Sequence, residues 1–268
     1  WRVGRLPVSH QVRGFEQHIE FILVPMFGYQ QRFMRITTWN VNSIRKRLDG
    51  VLQWLERERP DVLCLQETKC TDDTFPWIGF KSAGYEISYT GQPAYNGVAI
   101  ISRLPQEEIN LHPVAPNNED RRSIASTIDG IRIINVYVPY GEKIGSEKFS
   151  KKLLWINSLR EQLVEPANTR MIVTGDFNIA PDDRDVYDPA ARHEKLICST
   201  LERNGFRALL KAGFVDALRQ YTDQANLYTW WSHRVGAVEG NRGLRIDHHL
   251  VHNSLGEHIQ SVEIDTDE

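Results

Sequence analysis

Leu63-Cys64-Leu65-Gln66-Glu67-Thr68-Lys69 and Met171-Ile172-Val173-Thr174-Gly175-Asp176-Phe177-Asn178 repeat one pattern, and that pattern decides how the chain is read. Each is a short apolar run closed by polar residues, the signature of a buried strand. The polar residues fall where the strand leaves its sheet, where ligand and catalytic groups concentrate. A carboxylate at one strand end, Glu67, and a carboxylate–carboxamide pair at the other, Asp176 and Asn178, suit a site that binds Mg2+ and activates water. Taken singly, each motif has a plainer reading. Glu67 alone reads more readily as a solvated surface residue, and Gly175 to Asn178 reads equally as a tight polar turn ahead of Ala180-Pro181.

Outward from these runs, residues 35–40 alternate like a strand. Ser43 is placed to cap a helix reaching about Arg59, with Ile44, Leu48, Val51, Leu52 and Leu55 on one face and Pro60 ending it. Residues 85–89 and 98–102 read as strands. Residues 123–128 and 131–138 flank Asp129-Gly130, a strong hairpin signal. Residues 147–164 carry Phe149, Leu153, Ile156, Leu159 and Leu163 at helical spacing. Helical segments are expected near 194–204 and 206–212, and late strands at 244–251 and 259–264. Strands outnumber helices, helices interrupt them, and one hairpin is antiparallel. The pattern predicts an α/β fold with mixed sheets and helices packed outside.

The chain has 268 residues, 41% hydrophobic and 25% charged, ordinary values for one large globular domain. Its longest apolar candidate, 21–29, is broken by Pro25 and Gly28 and falls short of the roughly 20 residues that cross a bilayer. Cys64, Cys70 and Cys198 lack metal-ligand spacing, which favours a reducing, cytoplasmic location. A net charge of −3 argues against a protein that coats nucleic acid. It leaves room for an enzyme that grips a phosphate backbone locally. Residues 1–33 are expected to be a leader or upstream extension outside the fold, with a true start at Met34 and a single domain over 34–268.

Phosphodiester hydrolysis needs a base, a positive centre for the non-bridging oxygens and help for the leaving oxygen. Asp176 suits the base, Asn178 a neutral donor to the developing charge, and Glu67 with a cation the positive centre. Asn40 ends the preceding strand and is placed to support that cation. Tyr137, in Asn135-Val136-Tyr137-Val138-Pro139-Tyr140-Gly141, is either a donor to a phosphate oxygen or a core-edge tyrosine.

These residues carry a resemblance. Trp39-Asn40-Val41-Asn42, Leu65 to Lys69, Asn135 to Gly141, Gly175 to Asn178 and Asn241-Arg242-Gly243-Leu244-Arg245-Ile246-Asp247 stand in the order found in the exonuclease III family. Those proteins are Mg2+-dependent nucleases and abasic-site endonucleases of the endonuclease/exonuclease/phosphatase superfamily. The chain resembles them from about Met34 to its last residues. The resemblance implies a four-layer α/β sandwich, two facing mixed sheets flanked by helices. It implies Mg2+, with Mn2+ as a substitute, held mainly by Glu67 with Asn40, Asp176 and Asn178 contributing. Tyr137 would contact the scissile phosphate, and Asp247 would orient a catalytic histidine. Family members carry that histidine in a Ser-Asp-His-x-Pro-type motif a few residues beyond the strand near Ile264, which implies a C-terminal strand and motif past Glu268. His248, His249 and His252 are read as strand residues rather than substitutes.

The implied function is 3′→5′ exodeoxyribonuclease and abasic-site endonuclease activity on double-stranded DNA in base excision repair, by a monomer with no membrane role. Trp231 is expected to line a pocket for the abasic sugar, with Trp230 packed beneath it. Arg121, Arg122, Asn241, Arg242 and Arg245, together with Lys148, Lys151 and Lys152, are candidate DNA contacts, though any one alone reads more readily as a solvated surface residue, and only clustering on one face would change that. Two rival functions keep the same motifs: a phosphatase or phosphodiesterase on small phosphoesters, and a catalytically silent DNA-binding relative.

Overall fold

The computed structural model describes residues 19–26, 33–114, 120–163, 169–232 and 235–265. In chain order the strands are β1 (Ile19–Pro25), β2 (Phe33–Asn40), β3 (Val62–Gln66), β4 (Glu86–Thr90), β5 (Val98–Ser102), β6 (Glu107–Asn110) and β7 (Ser123–Ile128). They continue as β8 (Ile131–Tyr137), β9 (Met171–Asp176), β10 (Phe214–Asp216), β11 (Trp230–Trp231), β12 (Gly243–Leu244), β13 (Asp247–His252) and β14 (Ser261–Asp265). The helices are α1 (Ile44–Glu58), α2 (Trp77–Ser82), α3 (Glu147–Gln162), α4 (Pro189–Arg192), α5 (Thr200–Lys211), α6 (Ala217–Tyr221) and α7 (Asn253–Gly256). Among the described residues two six-stranded sheets form, in the orders β14-β1-β2-β3-β5-β4 and β10-β13-β9-β8-β7-β6, and β11 and β12 make a separate antiparallel pair. Both are mixed: β2 runs parallel to β3 and β8 parallel to β9, while their other neighbours are antiparallel.

Strand alternation gives each sheet an inner and an outer face. Inner residues such as Ile36, Cys64, Ile100, Ile133, Ile172 and Val251 build one core between the sheets. Outer residues of the first sheet, including Leu63, Leu65 and Ile101, pack against Val51, Trp54 and Leu55 of α1 and Phe80 of α2. Ile134, Val136 and Val173 of the second sheet pack against Trp155 and Leu159 of α3 and Phe206 and Leu209 of α5. The result is the expected four-layer sandwich.

Several sequence expectations need correction. Residues 19–25 are not outside the fold: β1 pairs with both β14 and β2, and Ile22 and Val24 are fully buried. The remainder of the 1–33 segment, apart from Met26 and Phe33, lies outside the described residues. Ser43 does not cap α1 with its side chain; its φ is 104°. Instead the N–H groups of Ser43 and Ile44 donate to the Glu67 and Thr68 carbonyls, at 2.8 and 3.1 Å, tying the helix start to the exit of β3. The strand expected over 244–251 is split between β12 and β13 at Arg245 and Ile246. The two segments expected near 194–212 form one helix, α5, opened by a capping box between Ser199 and Glu202. No helix among the described residues is long and apolar enough to cross a membrane.

Candidate active site

At one end of the inter-sheet core the inner rows of β2, β8, β9 and β13 finish in Asn40, Tyr137, Asp176 and Asp247. Asp176 sits beside Tyr137 on one side and Asp247 on the other in the ladder. Glu67 joins them by a kink. Gln66 already faces inward, so simple alternation would send the next side chain to the opposite face. A left-handed backbone at Glu67, φ 52°, redirects it. Asn178, two residues past Asp176, has the same conformation at φ 49°.

One amide holds the two carboxylates together. Asn40 Nδ2 donates to Glu67 Oε1 at 2.8 Å and to Asp176 Oδ2 at 2.9 Å. Asp176 Oδ1 accepts from the Asn178 N–H at 2.8 Å. Asp176 is only 2% exposed, and burial pushes its carboxyl up to about 7. The Asn40 amide opposes that shift and the Glu67 charge adds to it. The Tyr137 phenol is hydrogen-bonded to Glu67 and is driven above its usual range, first by burial and then by the Glu67 and Asp176 charges, so it stays protonated. Arg122 lies 4.7 Å over the Tyr137 ring, in cation–π contact, and pairs with Asp120 at 2.9 Å. Asn178 Nδ2 gives one hydrogen to the Val138 carbonyl at 3.0 Å and has a second to offer.

Lys69 is a site residue to which sequence reasoning gave no role. Its ammonium lies 2.6 Å from Glu67 Oε2 and also donates to Asn42 Oδ1. The available signal was its place two residues after Glu67, where a second left-handed residue, φ 51°, brings its side chain back beside the carboxylate.

The donor set is hard: two adjacent carboxylates with no thiolate among them. Among the described residues no group of three or more His, Cys, Asp and Glu is arranged to hold a metal. Two carboxylates that leave other positions to water and substrate phosphate match the way Mg2+ is usually held. The amides are arranged otherwise than expected of ligands. Asn40 turns its nitrogen toward the carboxylates, and its oxygen accepts from the Asn42 N–H at 3.1 Å. Asn178 points its nitrogen at Val138. As arranged, the carboxylate oxygens of Glu67 and Asp176, rather than the amide oxygens, face one another across Asn40 Nδ2.

The expected DNA contacts divide sharply. Arg245 is fully buried, with Nε on Asp185 at 2.7 Å and both terminal nitrogens on Asp216, so it has no face to offer a phosphate. Lys152 is equally buried, ion-paired with Glu202 and donating to the Asn178 and Tyr140 carbonyls. Of the tandem tryptophans, Trp231, the one expected to line a pocket, is the more buried. Trp231 is 6% exposed, and its indole occupies the space left by Gly243, where a Cβ would fall 2.8 Å from Trp231 Nε1. Trp230 is half-buried against the apolar cluster that includes Val186, Ile197 and Leu244. Asn241 and Arg242 are exposed, Asn241 accepting from the Trp231 indole N–H at 3.3 Å. Arg121 is half-buried beside His112, at 2.8 Å. Lys148 and Lys151 are exposed and paired with Glu142 and Glu147.

The three histidines lie on or at the end of β13 as read. His248 contacts the Ile179 carbonyl at 2.8 Å and is pushed down to about 3, mainly by burial. His249 bonds Thr174 at 2.8 Å, and His252 caps α7.

Fold and site together define a class: four-layer α/β proteins that gather carboxylates and amides where the strands of two facing sheets end. Within that class, the chain belongs to the Endonuclease/Exonuclease/phosphatase family, which it matches over residues 37–268, and to its exonuclease III branch. It is similar to the exodeoxyribonuclease of Bacillus subtilis, 32% identical over 242 residues that cover 87% of this chain and 94% of that protein. A 3′-5′ exonuclease from Neisseria meningitidis is 42% identical, with a TM-score of 0.80, covering 84% of this chain and 89% of that one. An AP endonuclease from Archaeoglobus fulgidus is 37% identical, also with a TM-score of 0.80, covering 84% and 88%. Exonuclease III relatives are metal-dependent, in keeping with the hard donor set.

Proposed function

We propose that this protein is a metal-dependent DNA nuclease that hydrolyses phosphodiesters at 3′ ends and at abasic sites. The observation that carries the reading is the meeting of Glu67 from one sheet and Asp176 from the other on a single amide, Asn40. A divalent cation bound there, Mg2+ or Mn2+, would neutralise charge on the phosphate oxygens. Glu67 and Asp176 would hold it.

The protein's own groups divide the remaining work. Asp176, a buried carboxylate held by the Asn40 amide and the Asn178 N–H, accepts the proton of the attacking water. Asn178 presents its free amide hydrogen to the phosphate oxygen on which charge develops. Tyr137, kept protonated by burial and the neighbouring carboxylates, would donate its hydrogen to a phosphate oxygen in place of Glu67. Asp247, the ladder neighbour of Asp176, would orient a further proton-transferring group. Arg121, Asn241 and Arg242 are accessible enough to meet the backbone of duplex DNA. The relatives' printed activities, exodeoxyribonuclease, 3′-5′ exonuclease and AP endonuclease, support the substrate class.

The test is cleavage of a labelled duplex with a recessed 3′ end, one with a single abasic site, and a small phosphodiester, each with and without chelator. The reading expects metal-dependent cutting of one or both DNA substrates. Asp176→Asn should slow it by about 10²-fold or more. Hydrolysis of the small ester alone, or chelator-insensitive cleavage, would refute it.

A further inference from the structure

One row beneath the carboxylates, the inner positions of five strands change character together. Deeper in the core they are Ile36, Cys64, Ile133, Ile172 and Val251. At the next inner position they become Thr38, Gln66, Asn135, Thr174 and His249, all fully buried. The site row follows. Continuing the apolar pattern would have been simpler, since a buried amide costs free energy unless its hydrogen bonds are replaced.

The bonds at the centre of this layer run between the sheets. Gln66 Nε2, on the first sheet, donates to Asn135 Oδ1 on the second at 2.7 Å and to Thr38 Oγ1 at 3.0 Å. Asn135 Nδ2 returns across the gap, donating to the Leu65 and Ala99 carbonyls, each at 2.9 Å. Asn135 therefore commits both its amide hydrogens and its oxygen to the facing sheet. Gln66 immediately precedes Glu67, and Asn135 stands two residues before Tyr137 on the same face.

We propose that Gln66 and Asn135 are positioning residues: a directional clasp that fixes the register of one sheet against the other and so sets Glu67 against Tyr137 and Asp176. Apolar side chains between two sheets resist separation but tolerate a small slide. Paired amides do not, because a hydrogen bond weakens steeply with misalignment. A displacement of about 1 Å at a reacting centre costs about 10²-fold in rate. The inference rests on the reading that Glu67 and Asp176 act jointly on a phosphate ester.

The test uses Gln66→Leu/Asn135→Leu, which removes the clasp and fills its volume with apolar groups, and the milder Gln66→Met, which leaves the Asn135 bonds to Leu65 and Ala99 intact. Three quantities are measured on the full chain: melting temperature, kcat and KM on the cleaved duplex, and Mg2+ affinity by calorimetry without DNA. The double variant should stay folded, lose about 10²-fold in kcat with KM for DNA little changed, and bind Mg2+ more weakly. Gln66→Met should move the same way, by about tenfold. If either variant is folded and its kcat and Mg2+ affinity stay within about twofold of the parent, the clasp has no positioning role. A parent that cleaves none of the DNA substrates would overturn the functional reading instead, so the two failures are distinct.

Discussion

Replacing Asp176 by asparagine offers a test that needs no substrate. Burial is the largest influence on this carboxyl and raises it from 3.8 to about 7. A group that holds its proton more tightly in the folded chain makes folding take up a proton between those two values. Stability from this site is therefore full below about pH 4, falls as pH rises, and levels off above about pH 7. The slope is at most about 1.4 kcal/mol per pH unit, and the accumulated penalty is roughly 4 kcal/mol as an upper bound. A carboxamide in place of the carboxyl would not ionise and would escape that penalty. It keeps the acceptor for the Asn178 N–H but sets an NH2 group against Asn40 Nδ2, which costs about 1–3 kcal/mol. The variant should thus be the less stable protein at about pH 5 and should draw level with or overtake the parent by about pH 8. Thermal unfolding followed by circular dichroism in chelator, at intervals from about pH 5 to 8, reads the difference. About 2–4 °C of relative movement is expected for each kcal/mol. Two melting curves that stay parallel across that range would show that Asp176 is not buried in the way described, and its role as base would lose its physical support.

Two further substitutions test the frame. Gly175→Ala places a Cβ 2.0 Å from the Val136 carbonyl oxygen, at a backbone φ of 140° that side chains rarely adopt. A loss of roughly 3 kcal/mol is expected in urea unfolding, and a loss below about 1 kcal/mol would contradict the β8–β9 geometry. Ile22→Ala, within the segment expected from sequence to lie outside the fold, should cost about 2–5 kcal/mol, because Ile22 is fully buried between the sheets. An unchanged unfolding midpoint would mean that β1 contributes nothing to the fold.

Much of the architecture is legible in the sequence because it follows local chemistry. Asp129 and Gly130 both take positive φ, 48° and 70°, which is why that pair announces a tight hairpin. The runs ending in Glu67 and Asp176 read as buried strands because both their faces are covered, one by helices and one by the other sheet. β1 escapes such a reading because an apolar run broken by Pro25 has no internal period, and its partners β2 and β14 are set only by tertiary pairing. The split between β12 and β13 is equally invisible. Arg245 leaves the ladder to meet Asp185 and Asp216, residues distant in sequence. The apparent break at Asn204-Gly205 is no break: a Cβ at Gly205 would fall 3.0 Å from Ile156 Cγ2, so glycine lets α5 approach α3 closely there. For the site, residue types are readable but orientation is not. Nothing in Asn40 as a letter says that its nitrogen rather than its oxygen faces the carboxylates, and nothing in Arg245 or Lys152 says that a cation is sealed in the interior.

Those sealed cations explain how the site keeps its shape. Glu67 and Asn178 hold left-handed backbones, each costing on the order of 1–3 kcal/mol, and such conformations persist only where the surroundings over-determine them. Lys152 supplies that restraint for the loops leaving β8 and β9. From α3 its ammonium binds the Tyr140 and Asn178 carbonyls and pairs with Glu202 of α5, so two helices and two loops meet at one group. Arg245 does the same for the segment entering β13, fixing the residues just ahead of Asp247 against the 182–185 turn and the start of α6. A buried ion pair contributes little net stability compared with well-packed apolar groups. Its advantage lies in direction, since several short charge-assisted bonds at fixed angles leave a loop one position. That the fully buried ion pairs stand behind the loops flanking Asp176, while the apolar core lies further down, fits a structure that places its directional contacts where ångströms decide chemistry.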